Sequence, residues 1–149
     1  MLTDGDRAPD FELSDHRGEP VRLSDYRGQR VVLYFYPKAD TPGCTKEACS
    51  FRDAYDAFEA QGLTVLGVST DSVDELEAFA ETYDLPFRLL ADPDGTVAQA
   101  YDSLASGALV AQRNTFVIDA EGQIAAVYDG VSPEGHAEEI LRDGAATEG

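Results

Sequence analysis

The sequence predicts an α/β domain, a central mixed β-sheet with helices on both faces and an N-terminal β-hairpin. Three observations lead there. Residues 31–36 (Val-Val-Leu-Tyr-Phe-Tyr) and 63–69 (Leu-Thr-Val-Leu-Gly-Val-Ser) are short apolar runs, as expected of strands buried on both faces. Between them lies a stretch of helical period, so the order is βαβ. The length, 149 residues, suits one domain that buries a core without metal or disulfide staples.

Each element has its own signal. Residues 11–14 and 20–23 read as a hairpin around Arg17-Gly18-Glu19. After the strand at 31–36, Ala48, Phe51, Tyr55 and Phe58 recur at steps of three and four and predict a helix over 43–61. Ser72-Val-Asp-Glu75 fits a capping box, in which two helix-start donors are satisfied reciprocally. Val73, Leu76, Ala80 and Tyr83 continue an apolar stripe to about residue 84. Residues 87–91 form a short strand, Asp92-Pro-Asp-Gly95 a turn and 96–102 a short helix. Asn114–Asp119 and Gln123–Tyr128 flank Ala120-Glu121-Gly122 as a second hairpin. Ser132 and Pro133 are an N-cap and first helical residue; this last helix is expected to end near Arg142 and leave 143–149 as a disordered tail. No repeat, low-complexity segment or linker interrupts 1–149, which is read as one domain. The element order fits a thioredoxin-like fold, but a fold does not fix a function.

Charge narrows the partners. Twenty-nine Asp and Glu against 11 Lys and Arg give a net charge of −18. Binding to phosphates rests on a basic face, so nucleic acid is excluded as the main partner, and an anionic membrane surface is disfavoured on the same grounds. No apolar run is long enough to span a bilayer. Met1-Leu2-Thr3-Asp4-Gly5-Asp6 lacks the basic start and apolar centre of a signal peptide, so a cytoplasmic location is expected. Thiols are kept reduced there, and two cysteines are then catalytic, metal-binding or inert rather than a structural staple. Self-repulsion at −18 is screened when the Debye length falls to roughly 3 Å near 1 M salt, which points to a salt-accumulating, halophilic-type cytosol.

The informative segment is Pro37-Lys-Ala-Asp-Thr41-Pro-Gly-Cys44-Thr-Lys-Glu-Ala-Cys49, where the buried strand gives way to the helix. Thr41 can cap the helix, Pro42 suits its first turn, and Cys44 falls at about the third helical position. A sulfur there sees free backbone N–H groups and the positive end of the helix dipole, which favour thiolate. Glycine and proline at the turn argue that Cys44 is exposed. Lys38 and Lys46, the chain's two lysines, flank the site, partly offset by Asp40 and Glu47. Cys49 lies five positions on, with Cα atoms about 8.7 Å apart in an intact helix, beyond disulfide reach. A bridge would require the first turns to unwind, so a permanent structural disulfide is excluded; alternatively, Cys49 is a small core residue. A metal site is poorly supported, because Cys-x4-Cys is not a usual ligand spacing and His16 and His136 read as isolated polar-face residues.

Pro37-x3-Thr41-x2-Cys44 resembles the peroxiredoxin signature Pro-x3-Thr/Ser-x2-Cys, and Tyr36 to Thr45 is similar to the peroxiredoxin Q, or bacterioferritin comigratory protein, subgroup. The resemblance runs from Gly5-Asp-Arg-Ala-Pro-Asp-Phe11 to Arg113-Asn-Thr-Phe-Val-Ile-Asp119. It implies a thiol peroxidase acting on hydrogen peroxide and organic hydroperoxides. Cys44 would be the peroxidatic thiolate, Thr41 would set its hydroxyl against thiolate and peroxide, and Pro37 would shield the site. Arg113, on a neighbouring strand, would stabilise charge across the breaking O–O bond. Cys49 would resolve the Cys44 sulfenic acid as an intramolecular disulfide, reduced in turn by thioredoxin or a similar dithiol. The resemblance further implies a monomer that needs no cofactor and no metal. Three other readings stand beside it: a one-cysteine peroxidase with Cys49 in the core, a peroxide sensor relaying oxidation to a partner, and a non-catalytic binding module.

Overall fold

The computed structural model describes residues 3–39, 41–105, 111–130 and 136–147, with the backbone alone at 143–147. Its strands are β1 (Glu12–Asp15), β2 (Pro20–Arg22), β3 (Arg30–Phe35), β4 (Leu63–Ser69), β5 (Arg88–Ala91), β6 (Thr115–Ile118) and β7 (Ile124–Tyr128). They form one sheet in the order β2-β1-β5-β4-β3-β6-β7. β3, β4 and β5 are parallel, while the β1–β2 hairpin joins β5 and the β6–β7 hairpin joins β3, both antiparallel. This is the mixed sheet expected from the sequence, with a hairpin at each edge.

Alternation along β3 explains why its sequence shows no polar face. Val32, Tyr34 and Tyr36 pack into one layer, with α1 (Pro42–Asp53), α2 (Tyr55–Ala60), α3 (Val73–Tyr83) and α5 (His136–Thr147). Val31, Leu33 and Phe35 point into the opposite layer, with α4 (Thr96–Ala100), Phe11 and Leu23. Tyr34 pairs with Gly67 across the β3–β4 ladder, and its ring lies over that glycine so closely that a Cβ would meet Cζ at 2.8 Å. The ring then stacks on Phe51 of α1, with centroids 4.6 Å apart. Gly67 thus sets the depth at which α1 rests on the sheet.

Four local expectations need correction. The helix over 43–61 is two helices, with Ala54 at φ −97°, ψ 7° between them. Phe51 and Phe58 would stand about 10 Å apart along the axis of a straight helix, whereas the break brings their rings to 5.5 Å, with both fully buried. α4 ends at Ala100, and Asp102 follows with a left-handed φ of 54°. α5 runs on to Thr147 rather than ending near Arg142, with no proline to stop it. The Ser132–Pro133 start lies outside the described residues, as do 148–149. The fourth concerns the histidines: both are buried rather than on polar faces. His16 Nδ1 accepts from the Leu89 N–H at 3.3 Å. His136 sits between the rings of Phe51 and Tyr128, with Nε2 2.8 Å from Thr115 Oγ1. The Ser72–Glu75 capping box is present at the start of α3. Among the described residues, no helix is long and apolar enough to cross a membrane.

Candidate active site

The chain leaves β3 at Phe35 and crosses the carboxyl ends of the parallel strands before α1 begins, the edge where open α/β sheets present their sites. Thr41 occupies the N-cap position with extended backbone (φ −94°, ψ 155°), Pro42 is the first helical residue and Cys44 the third. The Thr41 side chain does not cap the helix as expected. Its hydroxyl donates backwards to the Lys38 carbonyl at 2.9 Å, which commits the proton and leaves the oxygen as an acceptor.

Cys44 is 2% exposed, against the expectation that the Pro-Gly turn would display it. The physical reason is helical phase: Cys44, Ala48 and Phe51 share the face that α1 presses onto Tyr34 and Tyr36. Its sulfur receives Nη2 of Arg113 at 3.5 Å. Arg113 precedes β6 rather than lying on a strand. The antiparallel β3–β6 pairing, extended by the bond from Phe35 N–H to Asn114 O at 2.8 Å, carries it to the end of β3.

The other half of the guanidinium engages a residue that in the sequence is only an offsetting charge. Arg113 Nη1 donates to Glu47 Oε1 at 2.9 Å, and Glu47 is completely buried. Burial pushes the Glu47 carboxyl up to about 7, against the downward pull of Arg113. For Arg113, burial acts against the charge, but Cys44 and then Glu47 outweigh it and hold the guanidinium above its ordinary value. One signal could have found Glu47: it stands three residues after Cys44 and four before Phe51, an acid set into the apolar stripe.

The remaining site residues divide. Pro37 is half-buried where β3 ends, and Lys46 is exposed on α1. Lys38, which flanks the site in sequence, extends Nζ to Asp71 at 3.3 Å and Glu75 at 3.5 Å. Cys49 is half-buried, and both cysteines are free thiols in one continuous α1. In such a helix their Cα atoms stand about 8.7 Å apart, so the folded site holds two thiols that cannot bridge without unwinding. No three His, Cys, Asp or Glu side chains gather as metal ligands among the described residues.

A sulfur enclosed at a helix N-terminus, with a guanidinium shared between it and a carboxylate, is equipped for chemistry on the sulfur itself. On this thioredoxin-like fold, that arrangement defines the class of thiol-dependent oxidoreductases. The chain belongs to the AhpC/TSA family, whose model matches residues 5–127. It is 44% identical over 144 residues to the chloroplastic peroxiredoxin Q of Sedum lineare, covering 95% of this chain and 77% of that one. The crystal structure of peroxidoxin BcpB from Mycobacterium tuberculosis matches with a TM-score of 0.91 at 40% identity, over 98% of both chains. The bacterioferritin comigratory protein of Xanthomonas campestris, solved in a study of its alkyl peroxide reduction, matches with a TM-score of 0.88 at 32% identity over 93% of this chain and 92% of that one. The enzyme is a thiol peroxidase that uses a thiol reductant.

Proposed function

We propose that Cys44 is the peroxidatic residue of a single-domain, monomeric, cytoplasmic peroxidase that resolves through Cys49 and is recycled by thioredoxin or a similar dithiol. The observation that carries this reading is the 3.5 Å contact from Arg113 Nη2 to the Cys44 sulfur, since a guanidinium there stabilises negative charge on sulfur and on the oxygens bound next to it. Hydrogen peroxide and organic hydroperoxides are both substrates in this reading, the latter supported by the alkyl peroxide reduction named for the Xanthomonas relative.

In the first step the Cys44 thiolate attacks one peroxide oxygen and forms an S–O bond as the O–O bond breaks. The leaving oxygen departs as hydroxide or alkoxide and takes up a proton; the sulfur is oxidised to sulfenic acid and the peroxide reduced. Thr41, whose proton is committed to Lys38 O, accepts from the incoming peroxide O–H, and half-buried Pro37 limits water at the mouth. In the second step the Cys49 sulfur attacks the sulfenic sulfur and expels water, after the first turns of α1 unwind. Exchange with an external dithiol returns both thiols.

The test is to mix prereduced protein with one equivalent of hydrogen peroxide and weigh the intact chain and its peptides. Loss of two hydrogens with a Cys44–Cys49 cross-link is expected. Oxygen adducts on Cys44 without a cross-link would instead indicate a one-cysteine mechanism with Cys49 in the core. No reaction within minutes by a folded protein would refute the assignment of Cys44.

A further inference from the structure

Beside the cysteine site, a second buried carboxylate holds the loop that carries Thr41. Asp71 lies just past the end of β4, is 4% exposed and comes from a different part of the chain. Its Oδ2 accepts from the Ala39 backbone N–H at 2.7 Å and from Ser69 Oγ at 2.7 Å, while Oδ1 faces Lys38 Nζ at 3.3 Å. Asp71's own N–H donates to Ser69 Oγ at 3.3 Å, so the serine hydroxyl is fixed on both sides.

These bonds converge on one peptide unit. The Ala39 N–H that Asp71 receives and the Lys38 C=O that Thr41 Oγ1 bonds at 2.9 Å belong to the same amide plane. A charged acceptor on the N–H polarises the amide and strengthens its carbonyl as an acceptor, so the two bonds support each other. The plane is rigid, and its tilt decides where the Thr41 hydroxyl points. Thr41 is the N-cap of α1 and Cys44 is the third helical residue. We propose that Asp71 is a positioning residue for peroxide reduction, acting through the Lys38–Ala39 peptide to aim the Thr41 hydroxyl at the substrate. The assignment rests on the Cys44–Thr41 site proposed above and adds a part to it.

The test is a double-mutant cycle on the full chain, using Asp71→Asn, Thr41→Val and the pair. Two rates are measured: oxidation of Cys44 by hydrogen peroxide, in competition with a reference peroxidase, and alkylation of Cys44 by iodoacetamide. Alkylation reports access and thiolate content but has no O–O bond for Thr41 to orient. Asp71→Asn keeps shape but loses charge and one acceptor, and should slow peroxide oxidation about 30-fold while changing alkylation less than about threefold. In the Thr41→Val background the same substitution should cost less than about threefold, because the hydroxyl it aims is gone. Full, multiplicative losses in both backgrounds, or equal losses of oxidation and alkylation, would overturn the proposal. A Thr41→Val variant as fast as wild type would instead bring down the underlying site assignment. If circular dichroism shows Asp71→Asn unfolded, Ser69→Ala replaces it in the cycle: it removes one donor from Oδ2 and should show a smaller loss with the same dependence on Thr41.

Discussion

Glu47 and Arg113 are joined by a 2.9 Å ion pair at which the carboxylate is fully buried and the guanidinium side chain 18% exposed. The pair is asymmetric. Arg113 also reaches the Cys44 sulfur, while Glu47 Oε2 is buried without a hydrogen-bond partner among the described residues. Glu47 therefore anchors the arginine at a cost in solvation, and the arginine is spread over two acceptors of opposite function. One holds it, and the other is the sulfur of the proposed peroxidatic cysteine.

That arrangement gives Glu47→Gln a signature in pH. In the unfolded chain the carboxyl ionises at its ordinary value near 4.5, while burial keeps the folded one protonated to about 7. Between these values the folded state holds more protons than the unfolded, so this group costs stability as pH rises through the window and continues to do so above it. Glutamine keeps the acceptor but removes the titration. Urea unfolding between pH 5 and 8 should show the variant gaining on wild type as pH rises, whatever the offset between them. Parallel curves would show that the carboxyl already ionises normally.

Arg113→Lys tests the fork. A lysine ammonium is a point charge that cannot present two coplanar N–H groups to Glu47 and Cys44 at once. Peroxide oxidation of Cys44 should fall about 100-fold, the scale of losing a positioned charged donor at an oxyanion-type site. Retention of the wild-type rate in a competition assay would mean that the charge suffices without its geometry.

Much of this site is legible in the sequence, and the limits are physical. Thr41, Pro42 and Cys44 take the N-cap, first and third helical positions because capping and proline rules describe local backbone geometry, although the Thr41 hydroxyl bonds the Lys38 carbonyl instead of capping the helix. Strands β3 and β4 were readable because burial on both faces leaves unbroken apolar runs. Glu47 escaped because an acid in a sequence looks solvated until a partner 66 residues away is brought to it. Asp71 escaped for the same reason, and the buried histidines because one polar residue in an amphipathic stretch does not reveal which way it turns. The break at Ala54 depends on Phe51 and Phe58 meeting over the sheet, which helical period alone does not encode.

His136 carries the opposite pH dependence from Glu47. Burial holds its imidazole below 6.5, with Glu139 pulling weakly the other way. As pH falls through 6.5 the unfolded imidazole takes a proton that the folded one refuses, so stability is full above that pH and is lost toward the folded value. Its Nε2 contact with Thr115, beside Tyr34 in the β3–β6 ladder, ties that loss to the sheet under the candidate active site. His136→Gln should be less stable at pH 7.5 but show a shallower acid slope between pH 7 and 5 by urea unfolding. An unchanged slope would place the acid sensitivity elsewhere, with His16, also held low by burial, the next group to replace.

The acidic surface makes the fold sensitive to salt. Asp74, Glu77 and Glu81 are exposed on α3 at spacings of three and four, so like charges are neighbours on one helix face. Glu75 adds a fourth exposed acid, shared between the capping box and Lys38. With a net charge of −18, the folded chain concentrates repulsion that the unfolded chain spreads out. Raising potassium chloride from about 10 mM to 1 M shortens the Debye length from roughly 30 to 3 Å and removes most of that repulsion. The melting temperature should therefore rise with salt, most steeply at the low end, and Asp74→Lys with Glu77→Lys should flatten the rise. Equal stabilisation by sucrose would trace the effect to general exclusion from the surface rather than to charge. A melting temperature indifferent to salt would end the halophilic reading and leave an acidic protein whose charge serves solubility alone.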